Sequence, residues 1–410
     1  MAKEFKNLVT GLDIGTAKVK AVTCEVLPAG DLRLVGLGTA DSKGIKRGVV
    51  VDMEAATASI NQAVKEAEQT AECKIKPVYT GLTGSHIRSI NTSGMVMIKG
   101  KEVTAQDMAR VIDSAKIVNT GVDQRLLLVE PQEFIIDGSQ VKQPVGMSGK
   151  RLETRAHIVT GAQSAAENIL KCVRRCGLEV EQILLNPMAS AQAVLTPDER
   201  KLGAICVDIG AGATDIAIFL NDAIRHSAVI PIAGDLITSD IAIGLHTSIE
   251  NAEHIKVEHG VAKQLLAPRE VDVDISGMGE HDLRQISKQA LAGVIEPRVM
   301  EIFTLVLQVI HESGLENQLQ SAGIVLTGGS ASMNGLIDLG EEMFLKPVRV
   351  GIPKTAQKMS SILVHPRVAT VMGLLEAARE DRLHRYKAAQ EAGRLKSWMG
   401  RIRDFFTEGL

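Results

Sequence analysis

The tetrapeptide Leu12-Asp13-Ile14-Gly15 returns 195 positions later, from Asp13 to Asp208, as Val207-Asp208-Ile209-Gly210. Each copy closes an apolar, strand-like run and leads at once into another, so each reads as a β-hairpin opened by a glycine turn. Such a repeat, with a long interval between its copies, constrains the chain to two lobes of the same ancestry facing one ligand. The length agrees, because 410 residues are too many for one ordinary core.

The residue types in the two loops suit a polyphosphate. In GLDIGTAKVK, Asp13 ends the strand and Gly15 begins the turn, where consecutive backbone N–H groups can point at one anion. Thr16 adds a hydroxyl donor, and Lys18 or Lys20 a point charge. An aspartate here can hold Mg²⁺ directly or through water, since magnesium keeps most of its waters. VDIGAGATD repeats the arrangement with Asp208, Gly210, Gly212 and Thr214. Two such loops would clamp phosphates from both sides, with the metal between Asp13 and Asp208. Either hairpin alone would be unremarkable; the pair carries the reading.

Two further elements follow in order. AGIVLTGGSASMNG runs a strand into Gly328-Gly329-Ser330 and then a helix. Its glycines either permit a base or sugar to approach the backbone or serve a turn needing positive φ. In Ala252-Glu253-His254-Ile255-Lys256, Glu253 and Lys256 are i,i+3 neighbours on a helix. They either hydrogen-bond a ribose or adenine edge or pair on the surface.

Composition removes several classes. The net charge of -3 argues against a polyanion-binding surface overall. Only ten residues are aromatic, and Trp398, Phe405 and Phe406 fall in the last thirteen positions, so stacking platforms for single-stranded nucleic acid are lacking. No run of ~18 or more apolar residues predicts a spanning helix. The N-terminus enters a strand-like run without a signal-peptide core, and the cysteines are odd in number: Cys24, Cys73, Cys172, Cys176 and Cys206. Both point to reduced thiols in a cytosol. Cys172 and Cys176 would need two more ligands to hold a metal, and His254 and His259 lack HExxH spacing.

Strand-like 32–38, a helix near 53–70 and a strand near 76–83 follow the first hairpin. A β-α-β-β texture then fills about 86–162. Helix 163–176, a strand near 179–185 and helix 187–195 lead to the second hairpin, read as 203–209 and 214–220. A mainly helical block from about 235 to 318 is interrupted by a polar piece at 268–280.

The four motifs in this order, over about residues 8–380, resemble the actin, sugar kinase and heat-shock chaperone superfamily. Within it the chain is similar to the FtsA family of bacterial actin-like division proteins. PVGMSGKRLE and VEPQEF in the insertion, QALAGVIEPR at 289–298 and the tail carry that likeness. The resemblance implies an α/β, two-lobed actin-like ATPase fold. The first lobe would take 1–85, 163–195 and 355–385, and the inserted subdomain 86–162. The second lobe would take 196–238 and 300–354, with a helical adenine-side subdomain at 239–299. A linker at 386–393 would lead to a membrane-targeting helix at 394–410. It implies ATP and Mg²⁺ as ligands. Gly15, Thr16, Ala17, Lys18, Gly210, Gly212, Thr214, Glu253, Lys256, Gly328, Gly329 and Ser330 would line the nucleotide site, and Asp13 and Asp208 the metal. One departure matters. Several superfamily members carry a water-positioning Glu before the Pro that starts the helix ahead of the second loop; Asn186 stands there, before Pro187. Asn cannot act as a general base, so hydrolysis should be slow, with Asp208 or Asp13 as alternative bases.

In the tail, Leu395, Trp398, Met399, Ile402, Phe405 and Phe406 form one stripe at period 3.6, flanked by Arg394, Lys396, Arg401 and Arg403. This is the pattern of a helix lying in a membrane interface; docking on the core or on a partner helix would give a similar stripe. At ~1.5 Å per residue it would be ~20 Å long, too short to span.

The resemblance also implies partners: the C-terminal peptide of FtsZ, the cytoplasmic tail of FtsN, lipid through the tail, and further copies of the chain. Arg284 and Arg298 are the positions matched to the FtsZ peptide, suited to an acidic ligand, although either alone also reads as a surface or local ion-pair arginine. The implied function is an ATP-binding, self-polymerising scaffold on the cytoplasmic face of the inner membrane. The pilus-assembly relative of FtsA and a small-molecule kinase are the alternatives. A kinase would need a substrate-facing Asp that cannot be assigned here, and neither needs the tail. A chaperone ATPase would need a peptide-binding domain after residue 380, for which there is no room.

Overall fold

The computed structural model describes residues 7–117, 123–277, 283–319 and 321–386. Strand Leu8–Ile14 is the centre of a five-stranded sheet. On one side it pairs antiparallel with Lys18–Val26, which pairs with Leu32–Asp41. On the other it runs parallel to Pro77–Leu82 and then Glu179–Leu185. A second five-stranded sheet is centred on Ala204–Ile209. Thr214–Leu220 and Ala223–Ile230 lie on its antiparallel side, Gly323–Thr327 and Val348–Val350 on its parallel side. The two sheets share one topology, so the repeat extends from the hairpin to the lobe. Strand Ala223–Ile230 is unanticipated by the sequence reading, because AIRHSAVI puts Arg225 and His226 in mid-run; it is an edge strand, free to carry polar side chains.

Both central strands are buried on both faces, which explains their nearly unbroken apolar runs. Leu12 and Ile14 point to one core, under helices Met53–Ala71 and Gln163–Arg175. In the second lobe Ile205, Val207 and Ile209 point to an equivalent core, under Gly234–Gly244, Ile249–His259, Lys288–Glu312 and Leu336–Phe344. The opposite faces, with Val9, Val22 and Cys24 in one sheet and Ala204, Cys206 and Ala217 in the other, enclose a third core. It holds helix Asn186–Val194 and the helical segment 369–386. Side chains alternate along a strand, so Asp13 and Asp208 fall on this inner face, at the ends of their strands.

The insertion is a four-stranded sheet in the order Arg88–Met97, Arg151–Ala162, Gln124–Ile136, Ser139–Val141, with helix Ala105–Ala115 against it. Thr104 and Asp107 cap that helix reciprocally. Within the expected helical block, the polar interruption is a hairpin, Asp272–Ser276 with Leu283–Ser287. Val273 and Ile275 alternate into the core, a period-2 pattern that the surrounding polar residues disguise. Among the described residues no helix is long and apolar enough to cross a membrane.

Candidate functional site

The strand register carries the repeat further than the tetrapeptide. Asp13 faces Lys20 across the first hairpin, and Asp208 faces Asp215 across the second. The Gly15 N–H donates to the Lys18 carbonyl at 3.2 Å and the Gly210 N–H to the Ala213 carbonyl at 3.1 Å, the same turn bond at the same offset. The turns end side by side, and a cavity of about 490 Å³ opens between the lobes above them.

Gly15, Thr16, Ala17, Lys18, Gly210, Gly212, Glu253, Lys256, Gly328, Gly329 and Ser330 all line this cavity, with Asp13 and Asp208. Thr214 does not line it. It alternates to the other face of its strand, is fully buried, and donates its hydroxyl to the Ile232 carbonyl at 2.7 Å. Both lysines are paired: Lys20 Nζ lies 2.9 Å from Asp13 Oδ2 and is largely buried, while Lys18 pairs with Asp41 and is half exposed.

The acids differ in their surroundings. Asp208 accepts hydrogen bonds from Ser190 and, at 3.2 Å, from Thr370, one residue from each central helix. Burial raises its pKa, those hydroxyls oppose the shift, and the charge of Asp13 adds to it. Asp215 is raised well above the ordinary carboxylate range by burial and by Asp208, although the Thr83 hydroxyl donates to it. A cation arriving here would relieve both. Among the described residues no three acidic, histidine or cysteine side chains close on one point as direct metal ligands. The carboxylates of Asp13, Asp208 and Asp215 are oxygen donors of the kind that could hold a hard, well-hydrated cation such as magnesium through water.

Lys256 ties one wall of the cavity together. Its Nζ donates to Glu253 at 2.6 Å, to the Thr238 hydroxyl at 2.8 Å and to the Gly234 carbonyl at 3.2 Å. The Ser330 hydroxyl donates to the Gly210 carbonyl at 3.2 Å, joining the Gly-Gly turn to the second hairpin. Gly328 has φ of 89°, and a Cβ there would lie 2.3 Å from Asp208 Oδ1, so no other residue fits.

Several lining residues escaped the sequence reading. Asp215 was legible, since it stands at the repeat offset from Lys20. Thr83, Ser332, His365, Arg367 and Thr370 were not, because distant segments bring them in. His365 Nδ1 accepts the Arg367 N–H at 3.1 Å; burial, then Arg367 and Lys20, holds its pKa below the usual value. Asn186 lines the cavity, and its buried Oδ1 has no hydrogen-bond partner.

Arg284 and Arg298 lie outside the cavity. Arg284 donates to the His246 carbonyl at 3.4 Å. Arg298 grips Asp240 with two bonds of 2.6 and 3.1 Å and also pairs with Glu301. Leu395, Trp398, Met399, Ile402, Phe405 and Phe406 lie outside the described residues.

Comparison with known proteins gives a consistent answer. Residues 205–373 match the family model described as cell division protein FtsA, and residues 84–160 the model described as the SHS2 domain inserted in FtsA. The cell division protein FtsA of Pseudomonas aeruginosa is 48% identical over 370 residues, covering 90% of this chain and 88% of that protein. The FtsA of Neisseria meningitidis is 45% identical, covering 92% and 91%, and that of Escherichia coli K12 is 39% identical, covering 97% of each. Among solved structures, a PilM-PilN type IV pilus biogenesis complex aligns with TM-score 0.66 at 17% identity, covering 90% of this chain and 98% of the other. MreB5 of Spiroplasma citri bound to ADP aligns at 0.55 and 15%, covering 90% and 95%. These likenesses establish the actin-like fold.

Proposed function

The chain belongs to the FtsA family of cell division proteins, and we propose that it is an ATP-binding, self-polymerising scaffold of the bacterial division ring. In this reading it tethers FtsZ filaments to the cytoplasmic face of the inner membrane and recruits later division proteins, FtsN among them. The observation that carries the nucleotide half is the cavity in which both hairpin turns, the Gly328-Gly329 turn and the Glu253–Lys256 pair meet. Backbone N–H groups from both lobes would hold the phosphates, with Ser330 and Lys256 toward the nucleoside. Asp13, Asp208 and Asp215 would hold Mg²⁺ through water, and the ion would neutralise phosphate charge. Lys20 fixes the Asp13 carboxylate. Asn186 occupies the cavity wall without a basic function, so nucleotide acts mainly as a structural and assembly switch.

The tail supplies the membrane half through residues 394–410. A short interfacial helix gives only modest, reversible affinity, while linked chains gain roughly 10²–10⁴ by avidity. Membrane attachment and polymerisation are therefore coupled. Electron microscopy on lipid monolayers tests the reading. Full-length protein with ATP should form filaments on the lipid, and a truncation after Gly393 should not. Filaments on lipid from the truncated chain, or none from the full chain with ATP, would overturn it.

A further inference from the structure

The helical segment 369–386 leaves the first lobe at a fixed place. Asp381 accepts a hydrogen bond of 2.6 Å from the Tyr79 hydroxyl. Arg385 bridges Asp381 and Glu181 with bonds of 2.7 Å each, and Arg382 reaches Glu181 at 3.3 Å. Tyr79 and Glu181 stand on neighbouring strands of the first sheet, so the last turn before Tyr386 is pinned to that lobe. On the same stretch Leu383 packs into the third core, and a Cβ on Gly30, whose φ is 90°, would lie 3.3 Å from its Cδ1. The exit therefore sits against the turn that joins strand Lys18–Val26 to strand Leu32–Asp41.

That turn walls a second cavity, of about 330 Å³. Leu27, Leu32 and Leu34 line it from this side and Met359 of helix Lys354–Met359 from the other. Arg33 and Lys358 add cations, and Asp31 an exposed acid that is in no ion pair among the described residues.

We propose that this groove is the resting place of the chain's own tail, with Trp398 filling the cavity when no membrane is present. Nine residue steps from Tyr386 to Leu395 extend to about 30 Å at ~3.3 Å each, and the groove begins at the turn that Leu383 already touches. The cavity is at the small end for a ligand site, of a size for one large side chain. Its chemistry suits an indole: the Met359 thioether packs adaptably against ring edges, and a cation such as Arg33 or Lys358 favours a ring face. Asp31 can take Arg394 or Lys396, which precede Trp398 in the tail. The inference rests on the membrane reading for its consequence. Groove and lipid compete for one apolar stripe, so docking lowers the apparent membrane affinity by the fraction of chains docked.

Trp398 is the one tryptophan of the chain, so its fluorescence reads the stripe alone. Acrylamide quenching of the lipid-free full chain is compared with that of a synthetic peptide of residues 394–410, and binding to vesicles containing phosphatidylglycerol is measured in parallel. The expected result is a Trp398 shielded and blue-shifted relative to the peptide, independently of protein concentration. Met359→Lys should expose Trp398 to the level of the peptide and tighten vesicle binding about threefold or more, by freeing the docked fraction. Asp31→Arg, on an exposed turn, should move both readouts the same way and serves where Met359→Lys does not fold. Trp398 as accessible in the full chain as in the peptide overturns the docking, and vesicle binding then upholds the membrane reading by itself. Shielding that persists in both variants, or that grows with concentration as a second copy would make it, overturns the groove. Equal vesicle binding by wild type and an exposed variant refutes the competition. If Trp398 is shielded in wild type, exposed in the variants, and none of them binds vesicles, the membrane reading fails and the docking stands.

Discussion

Lys20 and Asp215 hold the same place in two copies of one hairpin: each faces, across its ladder, the aspartate that ends the preceding strand. The first lobe therefore presents an ion pair and the second a pair of buried acids. That asymmetry gives the cleft a lysine that fixes one carboxylate and, in the other lobe, two buried acids held only by hydroxyl donors. Holding two carboxylates buried side by side also costs stability.

Replacing Asp215 by Asn removes a buried charge and keeps an acceptor for the Thr83 hydroxyl. The ligand-free Asp215→Asn protein should melt a few degrees higher, since about 1 kcal/mol moves Tm by roughly 2–4 °C in domains of this size. Magnesium-dependent ATP affinity should fall at least about tenfold, or about 1.4 kcal/mol. An unchanged melt together with unchanged binding would remove Asp215 from the site.

The same acids set a pH dependence. Burial raises the folded-state pKa values of Asp208 and Asp215 above their unfolded values. The folded chain then binds more protons than the unfolded one, so their contribution favours folding in acid and is lost as pH rises through the folded values. The gain in Tm from Asp215→Asn should accordingly be small near pH 4, around the ordinary carboxylate pKa, and grow toward neutrality. A gain that shrinks with rising pH contradicts the assignment.

Asn186 offers a direct kinetic test. Asn186 lines the cavity and its Oδ1 is buried and unpartnered, so Asn186→Glu puts a carboxylate into this wall, and single-turnover ATP hydrolysis should accelerate. Wild-type turnover of ~1 s⁻¹ or more, within the common enzyme range, would sink the claim that this position limits hydrolysis.

Arg298 is engaged by Asp240 and Glu301. An acidic peptide must compete with them. Asp240→Asn should therefore strengthen binding of an FtsZ C-terminal peptide by several-fold, and Arg298→Ala should weaken it, on the scale of about 1–3 kcal/mol for hydrogen bonds to charged groups. Fluorescence anisotropy with a labelled peptide reads both; weaker binding in both variants would make Arg298 a structural residue.

For the tail, Trp398→Glu puts a charge in the middle of the apolar stripe. Liposome sedimentation should be lost while ATP binding is retained. Sedimentation at the wild-type level would exclude the stripe as the anchor.

The sequence by itself determined the two lobes, both hairpin turns, the Gly-Gly turn and the Glu253–Lys256 pair, because each hairpin, turn and pair is local: a strand, a turn and a side chain at fixed spacing. Read to its full length, the repeat even contains Asp215. It could not show that Ser190 and Thr370, 180 positions apart, both donate to Asp208, or that Thr83 holds Asp215. It did not reveal strand Ala223–Ile230, whose polar residues belong to a sheet edge, nor the period-2 pattern hidden at 272–276. Nor could it place Arg298 against Asp240. Those contacts join segments that are remote in the chain, and only the packing of both sheets around the two central helices brings them within reach of one another.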